Sequence, residues 1–573
     1  MRTVFLRALV LLPLLGLVGC STYGGNVSEA LSQVQSHQYE LAEQAFEDTL
    51  GKSKKDQLLY YLETGMVRHL QGDYVTSNNK LEQAYDLADY LNSAGVGEQL
   101  AVAMTYPSKG QYRGNDYERA MINSVKAMNY IQLAQQEPEN APQHLESARV
   151  EIRRLEIMLS RLDADFGSYD QAMSEKEQTF SKLLEIFRRL EGKWFDPEDL
   201  VYRADGWDHY LSGLAYEMNG EFEDARISYQ KAASVYELGF AEQYKLDLAM
   251  VQESRAAAIN NALRSGFDET ELIPQIDSLS TEYQQQIEEL PPGYGEVVLV
   301  QNLDLIPPKG ELNLFMTVNS WSRMLEIEPI LMGSYEQQSD QLAWFFMLYG
   351  DFGFTDLVAR YASGGLWELV EGIGTKKKIP LAPVWSLVKQ TNMHEAIDGV
   401  RLAVPYYPSL DQTESGRSSL TAENSQTGES VTLDLIKVAS PAQVALQEQI
   451  KNGSKDLREA FARESLQAVI TYSLAKATEQ EENPLGLGFA ITNLVANLGV
   501  AGAETRNWLT LPREIRMQRL RLPVGEHRLQ LSTNWRRQNN YVNQEVVVYV
   551  EEGQVQLVNV NTFSGTANSQ LVY

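Results

Sequence analysis

The chain has 573 residues, 43% of them apolar, and a single cysteine, Cys20. One thiol excludes an intramolecular disulfide framework and any site built from several cysteine ligands. With 77 acidic against 49 basic residues the net charge is −28, which argues against nucleic acid and against anionic lipid headgroups as partners, and the length allows about two to four domains.

Residues 1–19 carry Arg2 and Arg7, no acidic residue, and an apolar run from Ala8 to Val18 that stops at Gly19-Cys20. This is the pattern of a secretory signal, too short to span a bilayer. Leu17-Val18-Gly19-Cys20 has the form of a lipobox, where the cysteine sulfur receives a diacylglyceryl group and the chain is cleaved before it. Each buried CH₂ adds about 0.8 kcal/mol and one acyl chain anchors only marginally, so a cysteine bearing two or three chains would hold the protein firmly. Ser21 follows, not aspartate, which directs such a lipoprotein to the outer membrane, facing the periplasm. Loss of Arg2 and Arg7 takes the net charge from −28 to −30. Residues 20–27 are predicted to be a short tether.

Residues 28–275 are predicted to be helical and repetitive. Tyr39, Ala42 and Phe46 form half of a repeat, and Leu58, Gly65, Gly72-Asp73-Tyr74, Ser77, Leu81 and Ala84 form a full one. Tyr39 and Tyr74 are 35 positions apart, close to the tetratricopeptide (TPR) period of about 34. Amphipathic helices follow at Tyr117–Gln135, Gln143–Leu162 and Gln178–Leu190. The clearest repeat runs through Trp207, Tyr210, Gly213, Tyr216, Gly220-Glu221-Phe222, Ala225, Tyr229 and Ala232. Stacked repeats form a curved solenoid whose inner face, built from the first helix of each pair, suits a peptide or another protein's helix. Leu62, Met66, His69, Trp207, Tyr210 and Glu217 are therefore the candidate protein-binding residues, packing against the next helix being the alternative role. Gly51-Lys52-Ser53 is not a P-loop, because Phe46 stands where the leading glycine is needed and no strand precedes it.

Pro291-Pro292-Gly293 marks a change of character, and residues 276–295 are expected to link two domains. Beyond it, 296–573 is predicted to be rich in strands: Glu296–Asn302, Gly399–Pro405, Val431–Val438, and two hairpins, Met517–Leu522 with His527–Ser532 and Gln544–Val550 with Gln554–Thr562. Helical insertions are expected at about 320–395 and 441–503. Residues 410–429 read as a loop or disordered tether, and Lys376-Lys377-Lys378 as a solvated turn. Trp344–Tyr349 reads as core, contact with a partner or membrane being the other role. Leu485–Ala503 reads as a buried helix or helical hairpin in preference to a membrane span. The fold class expected is α+β: an N-terminal TPR-like α-helical solenoid followed by a β-sandwich-like domain with helical insertions.

Several segments, in order, carry a family resemblance: the lipobox, Tyr112-Arg113-Gly114-Asn115-Asp116-Tyr117-Glu118-Arg119, Ala148-Arg149-Val150-Glu151-Ile152-Arg153-Arg154, Gly295-Glu296-Val297-Val298, Pro307-Pro308-Lys309 and Arg506-Asn507-Trp508-Leu509-Thr510-Leu511-Pro512. Together they make the chain similar to a poorly characterised family of proteobacterial periplasmic lipoproteins with a TPR-like amino-terminal half. Residues 311–395 depart from that pattern and are a candidate insertion. The resemblance implies no established activity; some members sit beside genes for lipoprotein activators of peptidoglycan synthases.

Signatures of catalysis are missing from the sequence. The six histidines (His37, His69, His144, His209, His394, His527) make no His-Glu-x-x-His spacing and no Gly-x-Ser-x-Gly elbow occurs, although the many carboxylates leave a glycosidase-like pair open. No enzyme activity, catalytic residue, metal or cofactor is predicted. The expected function is an outer-membrane-anchored scaffold for periplasmic or outer-membrane proteins, in cell-envelope or peptidoglycan assembly. The alternatives are a structural part of a secretion or flagellar complex, and a periplasmic hydrolase. Cys20 is the predicted lipidation site, and nucleic acid is not an expected partner.

Overall fold

The computed structural model describes residues 22–93, 104, 106–162, 182, 206–287, 292–349, 376–410, 417–480, 502–535, 540–564 and 569–572. The protein is a mixture of helix and sheet, in the order helices first, sheets later. Helices α1 (Tyr23–Asn26), α2 (Ser28–Gln35), α3 (Tyr39–Phe46), α4 (Gln57–Gln71), α5 (Tyr74–Asn92), α6 (Asp116–Gln136), α7 (Ala141–Leu162), α8 (Gly206–Met218), α9 (Phe222–Val235), α10 (Ala249–Arg264) and α11 (Glu269–Asp277) fill the first half. Successive helices pack on one another, α4 on α5, α6 on α7, α8 on α9 and α9 on α10.

The two turns that the sequence repeats are built alike. After α4, Gly72 N–H donates to His69 O and Asp73 N–H to Arg68 O; after α8, Gly220 N–H donates to Glu217 O and Glu221 N–H to Tyr216 O. This is a Schellman end, which needs a left-handed residue, and Gly72 and Gly220 have φ of 86° and 73°. Inside each pair a second glycine lets the helices close up. A Cβ on Gly213 would lie 2.7 Å from the Tyr229 ring and one on Gly65 2.8 Å from a Leu81 methyl. Tyr229 is fully buried with its hydroxyl held by Glu217, so it has nowhere to retreat. Gly213→Ala is expected to lower stability by about 1–3 kcal/mol through overpacking, read as a lower urea midpoint; an unchanged midpoint would show that this contact is not tight.

The second half contains β1 (Tyr294–Leu305), β2 (Gly310–Asn319), β3 (Met324–Ile330), α12 (Tyr335–Tyr349), β4 (Lys377–Pro380), β5 (Asp398–Tyr406), β6 (Ser418–Asn424), β7 (Ser430–Asp434), β8 (Ile436–Ala439), α13 (Pro441–Gln480), β9 (Pro512–Pro523), β10 (Gly525–Trp535), β11 (Asn540–Val550), β12 (Val555–Thr562) and β13 (Ser569–Val572). They form three sheets, ordered β12-β1-β9-β8, β13-β11-β10-β6-β7 and β4-β3-β2-β5. In the first, β12 runs parallel to β1 and β9 antiparallel to it.

That first sheet is covered on both faces. Val298, Val300, Ile436, Val438, Ile515, Met517 and Leu557 pack on helices α6–α10. Their alternates, Val297, Leu299, Leu520, Leu522, Val558 and Val560, pack on Leu420, Leu529, Leu531, Val546 and Val548 of the second sheet. Burial on both sides is why Val297–Val300 of β1 read as four apolar residues in a row, without the alternation of a half-exposed strand. The third sheet packs with α12 and α13 in one core with α2–α6.

Several expectations are corrected. Residues 20–27 are not a tether through their length: α1 starts at Tyr23, and Tyr23 and Val27 are buried. The expected linker 276–295 instead buries Leu279, Tyr283 and Ile287 against α10, and β1 begins within it at Tyr294. The stretch 320–395 holds strands β3 and β4 as well as helix, and β4 includes Lys377 and Lys378, expected in a turn; Lys376 beside them is paired with Glu326 and Glu328. The tether expected at 410–429 contains β6, where Ser418, Leu420, Ala422 and Asn424 point inward.

Neither predicted hairpin is one. β9 and β10 lie in different sheets, as do β11 and β12, so each turn carries the chain from one sheet to the next. The expected strand Val431–Val438 is likewise divided at Leu435 between β7 of the second sheet and β8 of the first. Turn residues between two alternating runs fit a corner between sheets as well as a hairpin. Trp344, Phe345 and Phe346 are buried, as core. The expected helix Gln178–Leu190, apart from residue 182, and Leu485–Ala503, apart from its last two residues, lie outside the described residues. Among the described residues no helix is long and apolar enough to cross a membrane.

Candidate functional site

Three of the motif segments meet at one buried junction. The segment 505–511 runs between the helical half and the sheets, and two glutamates on helices hold its backbone. Glu63 of α4 accepts from Leu509 N–H (2.9 Å), Thr510 N–H (3.0 Å), Thr510 Oγ1 (2.7 Å) and Tyr23 Oη (2.8 Å). Glu118 of α6 accepts from Trp508 N–H (2.7 Å), Asn115 N–H (2.9 Å), Tyr112 Oη (2.5 Å) and Tyr117 Oη (3.1 Å). The Trp508 indole is fully buried and donates to Thr510 Oγ1. Burial pushes the Glu63 carboxyl up to about 7, against the pull of its Thr510, Leu509 and Tyr23 donors.

The start of α6 is held from a third side. Asn115 caps the helix in a capping box with Glu118, and Glu448 of α13 accepts from Asp116 N–H and Tyr117 N–H, both at 2.8 Å. Burial, then the neighbouring Asp116, raises the Glu448 carboxyl above the usual range. Lys309, 4% exposed, reaches Asn115 Oδ1 at 3.4 Å. Arg506 donates to Asp56 Oδ1 (2.8 Å), Glu504 Oε1 (2.7 Å), Pro107 O (2.7 Å) and Gly110 O (3.1 Å), so its planar fork ties three loops together.

A second junction is ionic. Arg519 of β9 donates to Glu217 of α8 and Glu296 of β1, both at 2.7 Å. Arg264 of α10 bridges the same two carboxylates at 2.7 and 3.0 Å, and Arg521 reaches Glu296 at 3.1 Å. Tyr229 Oη donates to Glu217 and Tyr210 Oη to Glu253. Burial alone would raise the Glu296 carboxyl, but Arg519, with Arg264 and Arg521, holds it well below the usual carboxylate range. Of the remaining motif segment, Glu151 pairs with the buried Lys126 at 2.9 Å and Arg149 with Glu221 at 2.7 Å.

All six candidate protein-binding residues are buried, Leu62 and Tyr210 completely and Glu217 at 4% exposure. They do not line a free inner surface, because the chain's own sheets cover that side. Glu217 is bound by Arg519 of β9 as above. His69 Nδ1 donates to Asn129 Oδ1 (2.6 Å) and Nε2 accepts from Asn559 of β12 (3.2 Å); burial lowers its pKa, which fits that neutral tautomer. Leu62 and Met66 sit in the core shared with the third sheet, and Trp207 stacks on Tyr210 at 5.8 Å between centroids.

Glu63, Glu448 and Arg519 were not singled out in the sequence, and Glu118 stood there only as one residue of a motif. Glu118 carries a signal, the Asn-x-x-Glu capping box; Glu63 carries a fainter one, a lone charge inside Leu58-Leu59-Tyr60-Tyr61-Leu62-Glu63-Thr64-Gly65-Met66. Cys20 lies outside the described residues.

Among the described residues a cleft of about 730 Å³ lies between the α6–α7 turn, the α8–α9 turn and the β11–β12 turn, with Gln135, Phe222, Arg264, Tyr549 and Val555 among its walls. On its sheet side, Gln135 pairs with Leu557 through both amide atoms, Nε2 to O at 2.9 Å and Oε1 from N–H at 2.6 Å. That side-chain amide takes the place of a neighbouring strand along the edge of β12. Among the described residues no group of three or more His, Cys, Asp or Glu is arranged to hold a metal ion. No family model, no curated protein and no solved structure matches this chain.

Proposed function

We propose that the chain is an outer-membrane-anchored periplasmic lipoprotein, of the TPR-like family its motifs resemble, and that it works as a protein-interaction scaffold in the cell envelope. The observation that carries this reading is the lipobox ending at Cys20 together with the place where the fold begins. Tyr23, three residues on, is already buried, with its N–H on Thr505 Oγ1 at 3.1 Å and its hydroxyl on Glu63. An acyl group on Cys20 would then fix the folded body at the bilayer with almost no slack.

The finer fold reading belongs to the same proposal. The matching Gly72 and Gly220 turns and the close-approach glycines Gly65 and Gly213 support TPR-like pairs. The shared core of Val297, Leu299, Leu529 and Val546 supports a β-sandwich. In this reading the solenoid's inner face holds the chain's own sandwich, and the partner is taken up elsewhere, the open cleft between the α6–α7, α8–α9 and β11–β12 turns being the recess at hand. Many buried charges among the described residues join helices to sheets, which suits a rigid platform.

Cys20→Ala is expected to move the protein from the membrane fraction to the soluble periplasm. Its unfolding free energy should stay within about 0.5 kcal/mol, as for a change outside the core. Retention in the membrane fraction would overturn the anchor.

A further inference from the structure

The Gly51-Lys52-Ser53 segment, which fails as a phosphate loop, lies beside the point where the folded body begins. Lys52, Lys54, Lys55 and Lys109 are all exposed. Among the described residues none of the four has a carboxylate within ion-pair distance; Lys55 Nζ donates to Ser108 O at 2.9 Å and Lys109 lies over the Tyr106 ring. The two loops that carry them are stitched together, Tyr112 N–H donating to Lys55 O at 2.8 Å.

Both loops also touch the segment that receives the amino terminus. Arg506 donates to Lys55 O, Pro107 O and Gly110 O, and its neighbour Thr505 accepts from Tyr23 N–H. Of the acids nearby, Asp56 and Glu504 face Arg506, and Glu47 is exposed. Asp48, on the same turn as Glu47, is exposed. Cys20 is three residues before Tyr23, a span of at most about 10 Å. The lysines and the acylation site therefore share one end of the molecule.

We propose that the face carrying Lys52, Lys54, Lys55 and Lys109 docks on a bilayer surface bearing anionic headgroups, orienting the body on the membrane to which Cys20 ties it; this rests on the lipid-anchor reading. The net charge of −28 does not forbid it. Exposed charges farther away than about 10 Å are largely screened at 0.1 M salt, so the headgroups respond to the lysines that reach them and little to the acidic remainder. On this face the proposal reverses the expectation, drawn from net charge, that anionic headgroups are avoided. A lysine close to an anionic surface strengthens binding about fivefold, so a cluster of four adds usefully to an acyl anchor and sets an orientation that lipid alone does not.

The test uses the full mature chain carrying Cys20→Ala, so that acylation plays no part, and flotation with vesicles of phosphatidylethanolamine with or without phosphatidylglycerol. Binding is expected only with phosphatidylglycerol and is expected to vanish at high salt. Lys52→Glu with Lys54→Glu should weaken it at least about tenfold. Lys231→Glu with Lys389→Glu, the same charge change at exposed lysines elsewhere, should leave it in place. Binding that ignores headgroup charge, no binding at all, or equal loss in both double variants overturns the proposal. Failure of the anchor reading would show separately, as a Cys20 without fatty acid in cells.

Discussion

Glu63→Ala is expected to destabilise the chain by about 3–5 kcal/mol, among the largest effects of any single substitution. The carboxylate is fully buried and is the acceptor for two backbone N–H groups, Leu509 and Thr510, and two hydroxyls, Thr510 and Tyr23. Removing it leaves those donors in the core without a partner, and each buried unsatisfied donor costs about 1–3 kcal/mol. The loss reaches both halves, since Glu63 belongs to α4 and its donors to the segment that leads into β9. Urea unfolding would read it as a lower midpoint at unchanged slope; a shift below about 1 kcal/mol would mean that water replaces the carboxylate.

The same residue makes stability depend on pH. Burial raises the folded pKa of Glu63 to about 7, above the unfolded value of about 4.3. The folded chain thus holds the proton more tightly than the unfolded chain. That contribution is complete below the unfolded pKa and is lost as pH rises through about 7. Relative to Glu63→Gln, which does not titrate, the wild type should lose stability between pH 5 and pH 8.

Arg519→Ala is the second large effect, again about 3–5 kcal/mol, because it strips a buried cation from Glu217 and Glu296. Both carboxylates are nearly inaccessible, at 0% and 2% side-chain exposure, so neither can turn to water. Arg264 would be left to face both, and the charges that Arg519 now separates would repel. Arg519→Met tests the same point with less lost volume and should recover only the packing part. An Arg519→Met chain as stable as the wild type would show the pair to be replaceable by apolar contact.

What the sequence reveals and conceals follows from which forces are local. Gly72 and Gly220 end helices by backbone geometry that a few residues set, so these two helix–turn–helix junctions were legible. Burial on both faces made Val297–Val300 of β1 a continuous apolar run, and Trp344-Phe345-Phe346 could be read as core on hydrophobicity alone. The sheet partners were not legible. Pro523-Val524-Gly525-Glu526 permits a tight return, and only the packing of one sheet against another makes it a corner between β9 and β10. β6 was hidden because Ser418-Ser419-Leu420-Thr421-Ala422-Glu423-Asn424 alternates small and polar residues, with just Leu420 and Ala422 as apolar marks. The candidate binding residues carried two readings, binding or packing, and they are buried; nothing local announces that segments hundreds of residues away help to cover them.

That last point is the central claim: the helical half packs on the chain's own sheets, joined to them through carboxylates that the sheets and the 505–511 segment satisfy. Native-state hydrogen exchange on the full mature chain tests it most directly, comparing wild type with Arg519→Ala. If the halves are one cooperative unit, amides of α4, α6 and α8 and those of β1, β9 and β10 lose protection by the same free energy. Helices that keep wild-type protection while the strands open would contradict the account.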